Sequence, residues 1–298
     1  NSKVIPARLR GVNAKTGGKF EVLLLEECGA NDWWAMLRPG KNARVGTQIA
    51  LHNPAGAPTD FLATVREVND EGHRRLQFSG TPDINRELDA LGEIPLPPYI
   101  ERSNTDDLEE DMERYQTVYA RPAGSVAAPT AGLHFTSEIL DLIRARGVKV
   151  CFVTLHVGLG TFAPVKTETL DAHTMHEEQF EVGEETVRAV NEAKAAGRRV
   201  IAAGTTSVRA LESVAARNRE ILNVSNGKTR IFIYPPHDFK LVDAHEENAM
   251  ITIHVVIRFF ISWNCCMDEN ASPAIILLAR WNPHPELLIA KLENDGGN

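Results

Sequence analysis

Little in this sequence points to cross-linking. Its four cysteines, Cys28, Cys151, Cys265 and Cys266, form no CxxC pair and no framework spacing. That excludes a disulfide scaffold and a zinc ribbon and fits a reducing, cytoplasmic setting. Long apolar runs are equally scarce. The most apolar stretch, Met250 to Trp263, is interrupted by His254 and Arg258 and falls short of the roughly 18 residues a membrane-spanning helix needs. No membrane segment is expected. Glycine and proline, 21 and 16 of 298 residues, are too few for a low-complexity chain. Overall basicity is missing too: a net charge of -8 and a pI near 5.7 exclude polyanion binding through bulk charge and leave only a local basic face. No initiator Met and no signal-peptide core precede Asn1-Ser2-Lys3-Val4, so the N-terminus reads as truncated.

What remains is ordinary for a folded protein, with 43% apolar and 24% charged residues and a length that suits two domains of about 150 residues. From Val4 to Phe78 the text alternates short β-rich runs with turns. Lys19 to Leu25, Trp33 to Arg38, Gln48 to Leu51, Phe61 to Val68 and Arg74 to Phe78 are separated by Gly17-Gly18, Pro39-Gly40 and Glu71-Gly72. Five short strands at this spacing predict a small closed barrel. The first fifty residues hold eight Lys/Arg against four acids, an excess of four positive charges. Arg38, Lys41 and Arg44 form either a phosphate-backbone surface or an ordinary solvated barrel face.

The proline-rich text Ile94 to Tyr99 and the acidic stretch Asp106 to Glu113 mark a domain boundary. Beyond it the period becomes α/β. A helix is predicted over Ser137 to Arg146, capped by Thr136 or Ser137 and stopped by Gly147. A continuous strand is expected over Val148 to Val157, a helix over Glu184 to Ala196, a buried strand over Arg199 to Ala203 and a helix over Val208 to Ala216. That alternation implies crossover units. The expected fold class is α/β, a mixed-sheet catalytic domain (residues 1–9 and 91–298) with a small inserted β-barrel domain (10–90).

Three loops can carry chemistry. Gly204-Thr205-Thr206-Ser207 lies between a strand and a helix, where free backbone N–H groups and three hydroxyls suit a phosphate, carboxylate or ribose, unless Thr206 or Ser207 is a plain N-cap. Arg209 and Glu212 share a helix face beside it, as a surface pair or as ligand readers. Val157 to Phe162 brings glycines after His156, but a lone GxG is no dinucleotide fingerprint. Gly124 to Thr136 is long, small-residued and pinned by Pro129. His173, His176, Glu177 and Glu178 lack the spacing of a metalloprotease site, and no metal is expected. The acidic run Glu177 to Glu185 reads as a solvated edge.

Tyr115 to Ala120, the Gly124 to Thr136 loop, His156 to Phe162, Met175 to Glu178, Gly204 to Ser213 and Ile231 to Pro235, in that order, resemble the S-adenosylmethionine:tRNA ribosyltransferase-isomerase family of queuosine biosynthesis. Val4 to Leu9 and Leu91 to Tyr99 are similar to it as well, so the likeness runs to about residue 244. The resemblance implies a mixed α/β catalytic domain with a β-barrel inserted near its start. It implies transfer and isomerisation of the ribosyl group of S-adenosylmethionine onto 7-aminomethyl-7-deazaguanine at the tRNA wobble position. Epoxyqueuosine, adenine and methionine result, with S-adenosylmethionine as co-substrate and no metal. His134, His156 and His176 are then the candidate proton carriers, since imidazole titrates near neutrality. The implied substrate contacts are Thr130, Gly132, Gly158, Thr161, Glu178, Gly204, Thr205, Thr206, Ser207, Arg209 and Glu212, with Arg38, Lys41 and Arg44 on the tRNA. The partners are tRNA and S-adenosylmethionine, no membrane is involved, and a cytoplasmic monomer is expected.

After Ala244 the chain leaves the family pattern. His245 to Met250 replaces a Thr-Asn-Phe-His-Leu-Pro segment, and Trp263, Cys265-Cys266 and Trp281 resemble out-of-frame text. Residues 245–298 place charges and Cys265-Cys266 where the family's apolar helix would cover the sheet, and an uncovered sheet, low stability and weak activity follow. The alternative reading is an inactive remnant of the family that still binds tRNA.

Overall fold

The computed structural model describes residues 1–97, 100, 108–158, 175–217, 222–233, 237–243 and 275–278. Thr161, His173, Cys265-Cys266 and all of the tail except Ile275–Leu278 lie outside the described residues. The chain divides into two compact units, residues 1–128 with 155–179 and residues 129–154 with 180–298.

The first unit opens with the short strand β1 (Lys3–Val4) and then builds a barrel from β2 (Arg8–Asn13), β3 (Lys19–Gly29), β4 (Asp32–Arg38), β5 (Gln48–His52), β6 (Pro58–Val68) and β7 (Arg74–Ser79). The hydrogen-bonded order β3-β4-β7-β6-β5-β2 closes on itself because β2 also pairs with β3. The barrel therefore has six strands, one more than the five expected from sequence. The additional strand, Arg-Leu-Arg-Gly-Val-Asn, holds a single β-branched residue, so propensity hides it. Period-two alternation fills the interior: Phe20, Val22 and Leu24 from β3, Trp33, Ala35 and Leu37 from β4, and Leu76 and Phe78 from β7 are buried.

After α1 (Leu88–Leu91), β8 (Gly92–Glu93) extends the barrel sheet by pairing with β2, Arg8 opposite Glu93. The Arg10 guanidinium grips the buried Glu93 carboxylate with two bonds of 2.6 and 2.9 Å, a fork geometry that ties the exit of the barrel to its entrance. Helix α2 (Leu108–Arg114) precedes β9 (Ala123–Ser125), which pairs in parallel with β1. Gln116 seals that pair from the side, its amide bonding both Val4 N and Val4 O at 2.9 and 3.0 Å.

The second unit has the expected mixture of helices and short strands. Helix α3 (Ser137–Ala145) is capped by the Thr136 hydroxyl, which accepts from Ile139 N. Val148 to Val157 is not one strand: only β10 (Lys149–Val150) and β11 (Thr154–Leu155) make ladder bonds. β-Branched composition alone cannot register where a neighbouring strand ends. β12 (Glu178–Val182) leads into α4 (Glu184–Ala195), β13 (Val200–Ala203), α5 (Thr205–Arg217) and β14 (Ser225–Thr229). The run from Glu177 is thus no solvated edge. Glu178, Phe180 and Val182 alternate inward and only Gln179 and Glu181 face water. The tail contributes one element among the described residues. β15 (Ile275–Leu278) is the middle strand of a parallel sheet ordered β10-β15-β13, with Val200 opposite Ile275 and Ala203 opposite Leu278.

Candidate functional site

In the first unit, chemistry gathers around His156. The residue follows β11 and is fixed by its own backbone, since His156 N donates to Gln179 O at 2.8 Å and Val126 N donates to Val157 O at 2.9 Å. Its Nδ1 lies 2.8 Å from the Ser2 hydroxyl. Ser2 in turn accepts from the Ser125 hydroxyl at 2.7 Å, and Ser125 Oγ accepts from Val157 N at 3.0 Å. Ser2 and Ser125 are both buried, so this is a short polar chain in a dry setting, where each bond is worth more than in water. Gly124 packs against the ring, with a φ of 139°. Sequence reasoning misses Ser2, which lies 154 positions from His156 and carries no local signal. Ser125 is within its reach, as part of a loop marked by its small residues.

Glu178, buried at the start of β12, accepts from Gly158 N at 3.1 Å. Glu178 and Gly158, two of the expected substrate contacts, are therefore partners of each other. His176, half-buried just ahead of Glu178, is close enough to His73 for its charge to oppose protonation there. Burial is the larger cause holding His73 below its ordinary pKa, and Glu71, at 3.2 Å, pulls the other way. Among the described residues no group of His, Cys, Asp or Glu is placed to hold a metal ion.

In the second unit, the Gly204 turn differs from its expected form. α5 begins at Thr205, three residues before the expected start, and Gly204, at a φ of 89°, makes the bend from β13. Thr206 and Ser207 are therefore inside the first turn of the helix and are not its caps. Ser207 is fully buried and its hydroxyl has no hydrogen-bond partner among the described residues. Such an orphan calls for an explanation in a native fold. Thr130 Oγ1, in the short 3-10 turn Thr130–His134, is buried in the same way. Gly132 in that turn is buried and His134 is exposed. Arg209 spends its Nε–H on Ile231 O at 3.0 Å.

Glu212 is engaged by the backbone of its own unit. It is 2% exposed, and its two oxygens accept from the backbone N–H groups of Lys240, Leu241 and Val242 at 2.9, 3.0 and 3.1 Å. The carboxylate therefore holds the segment before Asp243 against α5. Asp243 completes the attachment by accepting from Val200 N at 2.7 Å and from Lys194 Nζ at 2.6 Å.

The basic face lies at one end of the barrel. Arg38, Lys41 and Arg44 are exposed along the connection from β4 to β5. The connection is held by Arg74, whose guanidinium donates to Gly40 O at 2.6 Å and Ala43 O at 3.1 Å. Because Arg38 stands opposite Glu21 in the β3–β4 ladder, the β2–β3 turn comes to the same end and adds exposed Lys15 and Lys19. Asp32 sits at the far end of β4, about 20 Å away at roughly 3.3 Å per residue, and is already engaged by Arg75 at 2.7 Å. The β6–β7 turn at the basic end carries exposed Asp70 and Glu71.

Comparison with known proteins finds relatives that share one name. The chain is 48% identical over 243 residues, 82% of its length and 68% of the relative's, to the S-adenosylmethionine:tRNA ribosyltransferase-isomerase of Caldanaerobacter subterraneus subsp. tengcongensis. It is 48% identical over 245 residues, again 82% and 68% of the two chains, to the enzyme of the same name from Natranaerobius thermophilus. A crystal structure of S-adenosylmethionine tRNA ribosyltransferase from Thermotoga maritima is 29% identical, covers 88% of this chain and 74% of its own, and superposes with a TM-score of 0.32. The profile of the queuosine biosynthesis protein family matches residues 1–252, and with 48% identity to two enzymes named S-adenosylmethionine:tRNA ribosyltransferase-isomerase, this chain belongs to that family.

Proposed function

We propose that this chain transfers and isomerises the ribosyl group of S-adenosylmethionine onto 7-aminomethyl-7-deazaguanine at the tRNA wobble position, giving epoxyqueuosine and releasing adenine and methionine. The observation that carries the reading is 48% identity to enzymes named for this reaction over 82% of the chain. S-adenosylmethionine is the co-substrate, no metal takes part, and the chain works as a cytoplasmic monomer. Residues 10–90 act as the inserted barrel and the remainder as the catalytic domain.

The chemistry sets three demands. A sulfonium withdraws electrons from the adjoining ribose carbon and acidifies it, so a proton must be taken up nearby, and adenine must later leave with its charge neutralised. His156 and His176 in the first unit, and His134 in the second, are the candidate imidazoles. An anion or hydroxyl of the donor needs oriented N–H and O–H groups. The start of α5 supplies these, with Gly204, Thr205, Thr206 and the orphaned Ser207 hydroxyl, while Thr130 and Gly132 offer a second small-residue surface. A cationic centre needs an anion, and Glu178 is the buried carboxylate suited to it. Arg209 suits the methionine carboxylate, and Glu212 serves this set indirectly by holding residues 240–242.

The test is to combine the chain with S-adenosylmethionine and a tRNA carrying the precursor base, following adenine release and the mass of the modified nucleoside. Adenine release that depends on tRNA, with the mass of epoxyqueuosine, supports the reading. tRNA binding without either product favours the inactive remnant.

A further inference from the structure

The polar chain behind His156 has a direction, and the direction decides what the imidazole can do. Val157 N is an obligate donor and gives its proton to Ser125 Oγ at 3.0 Å. Ser125 Oγ, already accepting, has one proton of its own, and its geometry sends that proton to Ser2 Oγ at 2.7 Å. Ser2 then has one proton left and two acceptors within reach, His156 Nδ1 at 2.8 Å and Pro122 O at 3.4 Å. The shorter contact takes it, because a hydroxyl bond weakens steeply beyond about 3.0 Å. Nδ1 is then an acceptor, and in a neutral imidazole the ring proton must sit on Nε2. Gly124 enforces the arrangement: a β-carbon there would stand 2.7 Å from Nδ1, so only a glycine lets the ring lie this close to the two serines.

We propose that Ser2 and Ser125 are positioning residues which, with the Val157 amide, hold His156 as its Nε2–H tautomer, so that Nε2 serves as a hydrogen-bond donor and not as a base. This rests on the reading that His156 belongs to the transferase site. The role of proton acceptor from the ribose then passes to another group, because the only ring nitrogen with a lone pair is the one turned toward Ser2. Neither serine touches substrate; both act through the imidazole.

The direct test is the imidazole 15N spectrum of the full chain labelled in histidine, with the His156 signals assigned by their loss in His156→Gln. The native chain should show the Nε2–H pattern. In Ser125→Ala and in Ser2→Ala that pattern should give way to a mixture of tautomers, with circular dichroism unchanged. Ser125→Thr, which keeps the hydroxyl, should restore it. A native spectrum of the Nδ1–H form, or alanine variants that keep the native pattern, overturns the proposal. The kinetic arm follows adenine release. Each alanine variant should lose about tenfold or more in kcat, by analogy with the cost of removing the groups that orient a functional histidine, at a KM for S-adenosylmethionine within about twofold of native, and Ser125→Thr should recover most of it. A changed tautomer with unchanged kcat overturns the positioning role. An inactive native chain would count against the transferase reading, while the tautomer would still be decided by the spectrum.

Discussion

Gly124 stands so near the His156 ring that a β-carbon placed on it would meet Nδ1 at 2.7 Å and Cε1 at 3.0 Å. The contact joins two segments that look like separate loops in the sequence. Its backbone φ of 139° lies where L side chains are rarely found, so two independent constraints fall on one residue. Gly124→Ala is expected to cost about 1–3 kcal/mol of stability through backbone strain and displacement of the ring. If the ring moves on the order of 1 Å, turnover should fall by about a hundredfold. Urea denaturation and adenine release measured on the same preparation check both, and a variant with native values in each would show that the ring has room to move.

Glu212 supports the second unit in a way that can be weighed. Removing the carboxylate leaves three backbone N–H groups, those of Lys240, Leu241 and Val242, without their acceptor. Each buried donor left unmade costs about 1–3 kcal/mol, and Leu241 and Val242 are buried, so Glu212→Ala should destabilise by roughly 2 kcal/mol or more. Glu212→Gln keeps one carbonyl oxygen and should lose less. Equal denaturation midpoints for alanine and glutamine would mean that the segment finds other acceptors once released.

His73 gives the barrel a pH dependence. Its folded pKa lies below the ordinary 6.5, chiefly because burial disfavours the charged ring. The unfolded chain therefore binds a proton more readily than the folded one, and stability rises with pH across this range. The full contribution is present above about pH 6.5 and is lost as pH falls through the folded pKa. Thermal unfolding should show a lower midpoint at pH 5.5 than at pH 7.5, and His73→Gln should shrink that difference. A His73→Gln chain with the native pH slope assigns the effect to other groups.

The basic end of the barrel makes a quantitative prediction for tRNA. Neutralising Arg38, Lys41 and Arg44 together should weaken binding and lower the slope of log affinity against log salt by up to about 0.7–0.9 for each phosphate no longer neutralised. Adding Lys15→Gln and Lys19→Gln, which share that end, should extend the loss. Titrations of labelled tRNA between roughly 50 and 200 mM salt read the slope directly, and a slope unchanged by five substitutions would place the RNA elsewhere.

The strongest periodic signals are legible in the sequence. Helices α3 and α4 begin and end within about two residues of their expected limits, because amphipathic spacing, the Thr136 cap and the left-handed glycines Gly147 and Gly197 are local. The barrel is visible as strands and turns, but its closure is not, since β2 is a strand by virtue of its neighbours and not of its composition. The site divides in the same way. His156, Glu178 and the Gly204 turn are visible as residue types in loops. The partnership of Ser2 with His156 and the engagement of Glu212 by residues 240–242 arise from contacts across 154 and about 30 positions, which no local pattern encodes.

The tail offers the last prediction. The text after Ala244 is expected to leave the family pattern and the sheet's face uncovered; the family match itself runs to residue 252, and Ile275–Leu278 lies between β10 and β13 and pairs in parallel with both. In a middle strand every backbone N–H bonds to one neighbour or the other, so a proline anywhere in it removes a ladder bond and clashes with the pleat. Ile276→Pro should therefore destabilise the second unit by about 3 kcal/mol or more. It should also speed hydrogen exchange at the amides of Val200 to Ala203, leaving the barrel amides as protected as before. The same substitution at an exposed position outside the sheet, Glu181→Pro being unsuitable because it lies in β12 and Arg146→Pro because it follows α3, is best made at Ala55 in the β5–β6 turn. If Ile276→Pro and Ala55→Pro unfold at the same temperature as the native chain, the tail strand contributes nothing to stability. If only Ile276→Pro falls, residues 275–278 are part of the folded sheet despite the divergence of the text around them.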